Sequence, residues 1–330
     1  MKAFNSQTPN PKIQNPDFSK LLLIGVDSFT GKWFFDLYKD DFDIYGTYLE
    51  NSKKEIENSF YSSPKSKSQN PNPRFYPCDI TNKEQIKSTL EKVGPDYIIN
   101  FAGISFAAEE NPLIYYKVNT IAVENILSSV IESDIKLKKL ILPSSAVVYG
   151  KNANPKTSED ECPEPINHYG ISKLAMEKIA SIVSDNLNII ITRPFNYTGP
   201  GQDDRFIIPK IIKHFKENKK EIELGDIDSK REFNDIRFVC YVYKKLLLSD
   251  CSNAILNICT GKAYSIREII KIIGKITNNN ILIKKNKRFF RKNEIPLLSG
   301  DPSCLNSIVD NPINYDIIDT IKLFFNSEED

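Results

Sequence analysis

Tyr169 and Lys173 are the residues whose types and spacing most directly suggest chemistry, since they stand four positions apart in Tyr-Gly-Ile-Ser-Lys. On a helix this spacing puts both side chains on one face. A nearby ammonium group favours the phenolate, so the pKa of the phenol is expected to fall below its usual value of about 10. Such a tyrosine can exchange a proton with an alcohol or a carbonyl. The same pair also occurs on ordinary surface helices, so its meaning depends on its surroundings.

Two serines provide a possible partner for this pair. Ser144 and Ser145 directly follow the short apolar run at 140–142, which predicts a strand. The Ser145 hydroxyl would then share a substrate oxygen with Tyr169. Small residues after a strand are usually only turn formers, so this prediction depends on Tyr169 and Lys173.

A glycine-rich turn follows the first predicted strand, at 21–24. Its spacing is GxxGxxG, with Gly25 and Gly31 in place and Ser28 at the middle position. In such turns, backbone N–H groups and a helix N-terminus face a pyrophosphate, and small residues let the backbone approach it. A strand, a turn and a helix with two glycines can also be purely structural.

The end of the second predicted strand, 43–48, bears on the choice of dinucleotide. An acidic residue there binds the adenosine ribose, whereas a basic residue accommodates a 2′-phosphate. Glu50 suits the first role, but Lys53 and Lys54 are close enough in sequence for the second. NAD and NADP therefore both stay open.

The elements that must position these groups alternate between strand and helix. Further strands are predicted to end at Asp79 and to cover 97–101 and 189–192, with helices at 32–38, from Thr81 to before Pro95, at 113–132 and at 170–184. Thr81 and Glu84 have the spacing of a capping box. This alternation predicts an α/β fold with a doubly wound parallel sheet of Rossmann type, whose ligand lies at the carboxyl ends of the strands.

The domain organisation follows from a change of character along the chain. Residues 1–19 are polar and rich in Pro and Asn, which indicates a flexible arm. Residues 20–192 form the predicted dinucleotide-binding domain. Residues 193–330, with a basic helix at 209–220 and apolar pieces at 254–258 and 281–283, are predicted to form mainly a smaller substrate-binding lobe, with some segments returning to the first domain.

Composition and charge exclude several classes of protein. The 330 residues carry 44 Lys and Arg against 43 Asp and Glu, so no global field attracts nucleic acid or an acidic membrane. No apolar run is long enough to span a bilayer. Six cysteines without a CxxC pair and only two histidines predict no metal site and suggest reduced thiols in the cytoplasm.

These motifs together resemble the extended short-chain dehydrogenase/reductases, specifically the NAD(P)-dependent nucleotide-sugar epimerases, dehydratases and reductases. The resemblance covers about residues 20–325. The segments that carry it are the glycine turn at 25–31, Cys-Asp-Ile at 78–80, Asn-Phe-Ala-Gly at 100–103, Val-Asn at 118–119, Ser-Ser-Ala-Val-Val-Tyr-Gly at 144–150, Tyr-Gly-Ile-Ser-Lys at 169–173, Arg-Pro-Phe-Asn-Tyr-Thr-Gly-Pro-Gly-Gln at 193–202 and Arg-Glu-Phe-Asn-Asp-Ile-Arg at 231–237.

The resemblance implies roles for individual residues. The implied catalytic residues are Ser145, Tyr169 and Lys173. The implied ligands of NAD or NADP are Gly25, Ser28, Phe29, Gly31, Glu50, Asp79, Ile80, Phe101, Ala102, Gly103, Tyr169 and Lys173. The implied contacts to a nucleotide-diphosphate sugar are Ser105, Ser145, Asn196 and Arg231, where a guanidinium suits an anionic diphosphate.

The resemblance is strongest to GDP-4-keto-6-deoxy-mannose reductases and to GDP-mannose 4,6-dehydratase, through 193–202 and 257–268. A dehydratase needs a carboxylate two residues beyond the catalytic hydroxyl, and Val147 stands there. Valine cannot transfer a proton, so reduction of a 4-keto group is favoured over dehydration. A nucleotide-sugar 4-epimerase needs the same residues as a reductase and stays open. A catalytically inactive nucleotide binder has only Ser28 in its favour.

The resemblance also implies a homodimer, because its members commonly pair two helices per subunit into a four-helix bundle. The helices at 113–132 and 170–184 would form that interface. Their apolar residues are equally suited to packing within one subunit.

Overall fold

The computed structural model describes residues 18–56, 74–106, 109–151, 154–290, 295–310, 313 and 315–327. The predicted arm at 1–19 lies almost wholly outside the described residues.

The described chain alternates strands and helices through its first two hundred residues. The strands are β1 (Lys20–Ile24), β2 (Asp43–Tyr48), β3 (Phe75–Pro77), β4 (Tyr97–Asn100), β5 (Lys139–Pro143), β6 (Ile189–Pro194), β7 (Tyr197–Thr198), β8 (Glu221–Leu224), β9 (Lys230–Glu232), β10 (Asn234–Asp235), β11 (Ala254–Ile258), β12 (Ala263–Ser265), β13 (Leu282–Lys285) and β14 (Leu297–Leu298). The α-helices are α1 (Phe29–Tyr38), α2 (Lys53–Ile56), α3 (Lys83–Val93), α4 (Leu113–Tyr116), α5 (Ala122–Ile131), α6 (His168–Ile182), α7 (Ile207–Lys216), α8 (Ile236–Leu248), α9 (Ile266–Thr277), α10 (Ser303–Ile308) and α11 (Ile317–Asn326).

Seven of these strands form one parallel sheet in the order β11-β6-β5-β4-β1-β2-β3. The chain moves outward in one direction from β1 to β3 and in the other from β4 to β11. The strand order therefore reverses between β1 and β4, where open sheets of this kind bind ligands. The predicted doubly wound Rossmann-type sheet is confirmed.

Helices cover both faces of the sheet, because the strands carry apolar residues at consecutive positions. Leu21 and Leu23 of β1 pack with α1, α8 and α10 on one face. Leu22 and Ile24 pack with α3, α5 and α6 on the other. Side chains alternate between the faces of a strand, so an unbroken apolar run is what a sheet between two helical layers requires.

Helix α3 begins one residue later than the sequence suggested. Its N-cap is Asn82, whose Oδ1 accepts hydrogen bonds from the backbone of Glu84 at 3.1 Å and Gln85 at 3.3 Å. Thr81 instead donates its backbone N–H to Asp79 Oδ1 at 2.9 Å. The predicted capping box from Thr81 is therefore wrong, because the backbone of Thr81 is bonded to the Asp79 side chain in a turn before the helix.

The predicted helix at 113–132 is interrupted. A π-helical turn, Lys117–Ile121, separates α4 from α5. Such single turns widen the helix by one residue and are frequent at functional sites. Here the turn carries Asn119, a buried residue that contacts the loop after β4.

The residues after β6 contribute to two places. Helix α8 and strand β11 pack against and extend the main sheet. A separate hydrophobic core joins α7, α9 and α11 with β8, which pairs in parallel with β13. The basic helix predicted at 209–220 is α7, which starts earlier and ends at Lys216.

Candidate active site

The glycine turn between β1 and α1 leaves no room for side chains at its two glycines. Gly25 has φ +80°, and a Cβ on it would lie 2.7 Å from the Ala102 nitrogen. A Cβ on Gly31 would lie 2.4 Å from the Gly25 carbonyl oxygen. Ser28 has an ordinary φ of −70° and is the N-cap of α1, with its hydroxyl accepting from the Gly31 N–H at 3.1 Å. The serine therefore fits the turn without strain.

The residues expected to bind a dinucleotide and the expected catalytic Ser145 lie along one edge of the sheet. Glu50 follows β2, Gly25 follows β1, Gly103 follows β4 and Ser145 follows β5, and these four strands are consecutive in the sheet. Neighbouring strands are about 4.8 Å apart, so β2 and β5 are separated by about 14 Å. A dinucleotide can span that distance with its pyrophosphate at the bare turn, so the residues present fit this group.

The end of β2 and the loop after β3 form the predicted adenosine side. Glu50 is exposed, with its carboxylate 3.6 Å from Lys53 Nζ. Asp27 of the glycine turn accepts the Leu49 N–H at 3.4 Å, which adds a second carboxylate beside Glu50 that the sequence reasoning missed. Asp79 is exposed, whereas Ile80 is buried beneath the loop.

The loop after β4 presents its backbone to the same edge. The ring of Phe101 faces inward, 5.2 Å from Tyr243 and 5.9 Å from Phe34 between ring centroids, so Phe101 offers a ligand only its backbone. Ala102 abuts Gly25. Gly103 is exposed, and a Cβ on it would lie 3.7 Å from Lys173 Nζ.

Tyr169 and Ser145 are brought together at the end of β5. Tyr169 is 8% exposed at the start of α6, and its phenol lies close enough to the Ser145 side chain for that hydroxyl to act on its pKa. Burial raises the pKa of Tyr169 to about 12, against a smaller lowering by Ser145. The expectation that Lys173 acidifies this phenol is wrong for the protein alone, since desolvation of the phenolate dominates the shift of the Tyr169 pKa and the Lys173 charge does not contribute to it. The phenol is therefore fully protonated at neutral pH.

Lys173 is directed at the backbone of β5 rather than at the phenol. Its Nζ donates to the Pro143 carbonyl oxygen at 2.8 Å. Burial lowers the pKa of Lys173 to about 8, and Glu177 acts in the opposite direction. The ammonium group thus lies between the Pro143 carbonyl and the exposed backbone of Gly103.

The three remaining predicted substrate contacts lie on loops and edge strands. Ser105 and Asn196 are exposed, after β4 and β6 respectively. Arg231 is half-buried on β9, and its Nη1 donates to the Lys230 carbonyl oxygen at 2.8 Å. Asn196 accepts the Asn234 N–H through its backbone at 2.8 Å, so β10 brings the segment that contains Arg231 towards Asn196.

A family model described as GDP-mannose 4,6 dehydratase matches residues 22–319. The chain belongs to the GDP-mannose 4,6 dehydratase family. This confirms the resemblance found in the sequence, and the match covers all of the main sheet except the first two residues of β1, together with α6, α7 and α9.

Two curated relatives of this GDP-mannose 4,6 dehydratase family member act on GDP-linked 6-deoxy sugars by name. GDP-6-deoxy-D-talose 4-dehydrogenase of Aggregatibacter actinomycetemcomitans is 32% identical over 298 residues, which is 90% of this chain and 93% of the relative. GDP-6-deoxy-D-mannose reductase of Pseudomonas aeruginosa is 30% identical over 223 residues, or 64% of this chain and 73% of the relative.

Solved structures share the fold of this family member. UDP-glucuronic acid 4-epimerase from Bacillus cereus, in complex with UDP-glucuronic acid and NAD, aligns with a TM-score of 0.80 at 21% identity, covering 93% of this chain and 98% of its own. RMD from Pseudomonas aeruginosa, complexed with NADPH, aligns with a TM-score of 0.77 at 23% identity, covering 93% and 97%.

Further contacts in this family member were not anticipated from its sequence. Asn119 accepts the Ile104 N–H at 2.9 Å and donates to the Ile104 carbonyl oxygen at 3.0 Å, which fixes the backbone beside Gly103. Tyr115 donates to the Phe106 carbonyl oxygen at 2.8 Å and lies 5.9 Å from the Tyr169 ring. Asn119 stood in a recognised motif, but only the folded loop shows its role.

The segment after β6 is attached to the glycine turn. Phe29 stacks on Tyr197 with ring centroids 6.2 Å apart, and the hydroxyls of Thr30 and Tyr197 are 2.9 Å apart. Trp33 donates its indole N–H to the Pro200 carbonyl oxygen at 2.9 Å. Phe29, predicted to bind the dinucleotide, therefore also packs against the predicted substrate side.

The site contains acid, cation and hydroxyl groups but no metal cluster in the described ranges. No group of three or more His, Cys, Asp or Glu side chains there could hold a metal ion. No helix in the same ranges is long and apolar enough to cross a bilayer. A buried phenol beside a serine hydroxyl and one helical turn from a lysine is suited to protonate an oxygen that gains negative charge.

Proposed function

We propose that this protein is an NAD(P)H-dependent reductase that reduces the 4-keto group of a GDP-4-keto-6-deoxy-hexose. The observation that carries the proposal is the buried Tyr169 phenol, which lies beside the Ser145 side chain and one helical turn from Lys173. The two curated relatives, a 4-dehydrogenase and a reductase of GDP-6-deoxy sugars, support the GDP-linked substrate class.

In the proposed reaction the chain's own residues manage the proton and the developing charge. Bound NAD(P)H supplies a hydride to C4 of the sugar, so the carbonyl is reduced to an alcohol as the dinucleotide is oxidised. Tyr169 gives its proton to the C4 oxygen, and the phenolate that remains regains a proton from solvent. Ser145 donates a hydrogen bond to the same oxygen, and the Lys173 ammonium stabilises the phenolate.

The proposed binding residues divide between the two ligands. The glycine turn, Glu50, Asp79, Ile80 and the 101–103 backbone would hold the dinucleotide. Ser105, Asn196 and Arg231 would hold the nucleotide-diphosphate sugar, and the lobe of α7 and α9 would close that side. Val147 is half-buried where a dehydratase needs a carboxylate, which supports reduction over dehydration.

A 4-epimerase is the second candidate, favoured by the similarity to UDP-glucose 4-epimerases. One, from Halalkalibacterium halodurans, is 25% identical over 254 residues, 70% of this chain and 73% of the relative. The same three catalytic residues would work in both directions, oxidising C4 and then reducing it from the other side of the ring.

The experiment is a turnover screen with the purified full-length chain. A GDP-4-keto-6-deoxy-hexose is offered with NADH or NADPH, and nicotinamide absorbance and sugar products are followed. A reductase consumes one nicotinamide per alcohol formed. Interconversion of GDP- or UDP-hexoses without net consumption of nicotinamide would establish the epimerase instead. If neither reaction occurs, the protein is a nucleotide binder without catalytic activity.

Tyr169→Phe is expected to reduce turnover at least about a thousandfold, since it removes the proton donor, while dinucleotide binding persists. Tyr97→Phe is the matched control, because Tyr97 begins β4 at the opposite edge of the sheet. Binding is measured by energy transfer from Trp33, the single tryptophan, to bound nicotinamide.

We also propose a homodimer through a four-helix bundle. The α4–α5 segment and α6 lie side by side, with Thr120 donating to the Ser172 carbonyl oxygen at 2.8 Å. They expose large aliphatic residues, namely Leu113 at 70%, Ile121 at 58%, Ile171 at 41% and Ile182 at 77%. Burying such side chains against a second copy would remove them from water.

A cytoplasmic location is proposed from the cysteines. All six are unpaired thiols, of which Cys162 and Cys304 are exposed. Exposed thiols persist best in a reducing compartment.

A further inference from the structure

A buried carboxylate lies on the same helix face as the proposed catalytic pair. Tyr169, Lys173 and Glu177 follow one another at four-residue intervals along α6. Glu177 is 3% exposed, one turn beyond Lys173 and away from the mouth of the site. Its position is too deep for contact with a sugar or a dinucleotide, so any contribution to turnover acts through its neighbours.

Glu177 bonds to the two strands beside α6. The Ser144 hydroxyl donates to Glu177 Oε1 at 2.6 Å. Arg193 donates from Nε to Oε1 at 3.0 Å and from Nη2 to Oε2 at 2.7 Å. Ser144 lies at the end of β5 and Arg193 on β6, so one carboxylate fixes the axial position of α6 against two neighbouring strand ends.

Each partner of Glu177 is close in sequence to a residue of the proposed site. Ser144 precedes Ser145, and Arg193 lies three residues before Asn196. The Arg193 guanidinium also lies over the Tyr149 ring, 4.8 Å from its centroid, and Tyr149 donates its hydroxyl to Asn257 Oδ1 at 2.7 Å. The network thus joins the three segments that carry Ser145, Tyr169 with Lys173, and Asn196.

A buried ion pair of this kind contributes little net stability, because desolvation offsets most of the attraction. A bidentate carboxylate–guanidinium pair does fix the relative orientation of its two side chains, since two parallel hydrogen bonds hold the two planar groups together. Proton transfer is sensitive to displacements of about 1 Å, which can cost about a hundredfold in rate.

We propose that Glu177 is a positioning residue for the reaction: it holds Tyr169 and Lys173 in register with Ser145 through Ser144 and Arg193. The inference rests on the proposed function, because it assigns no substrate contact to Glu177 and requires that the Tyr169 site turns over.

The charge of Glu177 also acts on Lys173. It raises the pKa of the lysine against the lowering caused by burial. Helix α6 places Tyr169 and Glu177 near Lys173, and β6 places Arg193 beyond Glu177. The other neighbours of Lys173 are uncharged backbone groups, the Pro143 carbonyl of β5 and Gly103 after β4. Removing the carboxylate charge leaves Lys173 with a pKa lower still.

The test is the Glu177→Gln variant of the full-length chain, assayed with the substrate that wild type reduces. We expect kcat to fall about tenfold to a hundredfold, with KM for both ligands within about twofold of wild type. The alkaline limb of the kcat profile should move to lower pH. Glu91→Gln, an exposed carboxylate on α3, is the matched control and should resemble wild type.

Wild-type kcat in Glu177→Gln would overturn the positioning role, as would a loss of kcat with an unmoved alkaline limb, which indicates general destabilisation. If Glu177→Gln does not fold, Ser144→Ala removes a single donor to the carboxylate. That variant should lose about threefold to tenfold in kcat at unchanged KM, and wild-type kcat would again overturn the role. A wild-type chain that reduces no substrate refutes the proposed function, whereas normal turnover by Glu177→Gln refutes only the positioning role.

Discussion

The Lys173 ammonium donates to the Pro143 carbonyl oxygen at 2.8 Å, and this bond joins α6 to the last residue of β5. Ser144 and Ser145 follow immediately. A cation held by a strand end keeps a fixed distance from the serine that the same strand delivers. The phenol of Tyr169, one turn earlier on α6, lies beside the Ser145 side chain.

The pKa of Lys173, lowered to about 8, predicts the pH dependence of the reaction. Above that pH the amine loses its proton and no longer stabilises the phenolate, so kcat/KM for reduction should fall as pH rises through about 8. Tyr169 keeps its proton in this range because burial raises the pKa of its phenol to about 12. Initial rates in overlapping buffers check this, and a flat alkaline profile contradicts it.

Lys173→Met should stabilise the fold while it removes activity. Folding lowers the pKa of Lys173 from 10.5 to about 8, so the buried cation costs stability below pH 8, and the cost disappears as pH rises to about 10.5. Met avoids this cost but lacks the hydrogen bond to Pro143, which leaves a gain of about 1 to 2 kcal/mol at neutral pH. Urea unfolding measures it. Lys178→Met, exposed on the same helix, should show no such gain.

The carboxylates of Asp27 and Glu50 should favour NADH over NADPH. Glu50 follows β2, and Asp27 of the glycine turn bonds to the backbone of Leu49 beside it, so a 2′-phosphate there would meet two negative charges. Replacing both with Asn and Gln should improve kcat/KM for NADPH relative to NADH by about fivefold or more, which corresponds to about 1 kcal/mol. The exposed Asp36→Asn on α1 is the control. An unchanged ratio would show that these carboxylates do not face the adenosine ribose.

Charged residues on the exposed face of α6 should disrupt the proposed dimer. Ile171→Glu with Ile182→Glu places carboxylates where apolar contact is expected, so sedimentation should show monomers at concentrations at which wild type is dimeric. Leu248→Glu, at a position 55% exposed on α8, is the control and should leave association unchanged. A wild-type monomer at all concentrations contradicts the interface.

The sequence predicted the sheet well because its signals are local. Strand β2 has the predicted bounds, and the apolar piece noted at 254–258 is strand β11. The π-helical turn at 117–121 was not predictable, because Asn119 is held by Ile104, a contact between segments distant in sequence. Glu177 showed one available signal, its four-residue spacing from Lys173, but its two partners come from other strands.

The candidate site shows the same contrast between local motifs, which the sequence reveals, and burial, which it does not. The motifs located Ser145, Tyr169 and Lys173 at one strand end, and the structure brings them together. The direction of the tyrosine pKa was wrong because spacing reports a neighbouring charge but not the depth of burial. Residue type alone also gave no way to see that the Phe101 ring faces the core.

The serine at the middle of the glycine turn affects which sequence patterns can recognise proteins of this kind. Ser28 occupies the one position of the three that accommodates a side chain, and its hydroxyl receives the Gly31 N–H, whereas the outer two tolerate no added carbon. Search patterns that insist on three glycines would pass over this chain, while a pattern that admits a small hydroxyl residue at the helix cap would retain it.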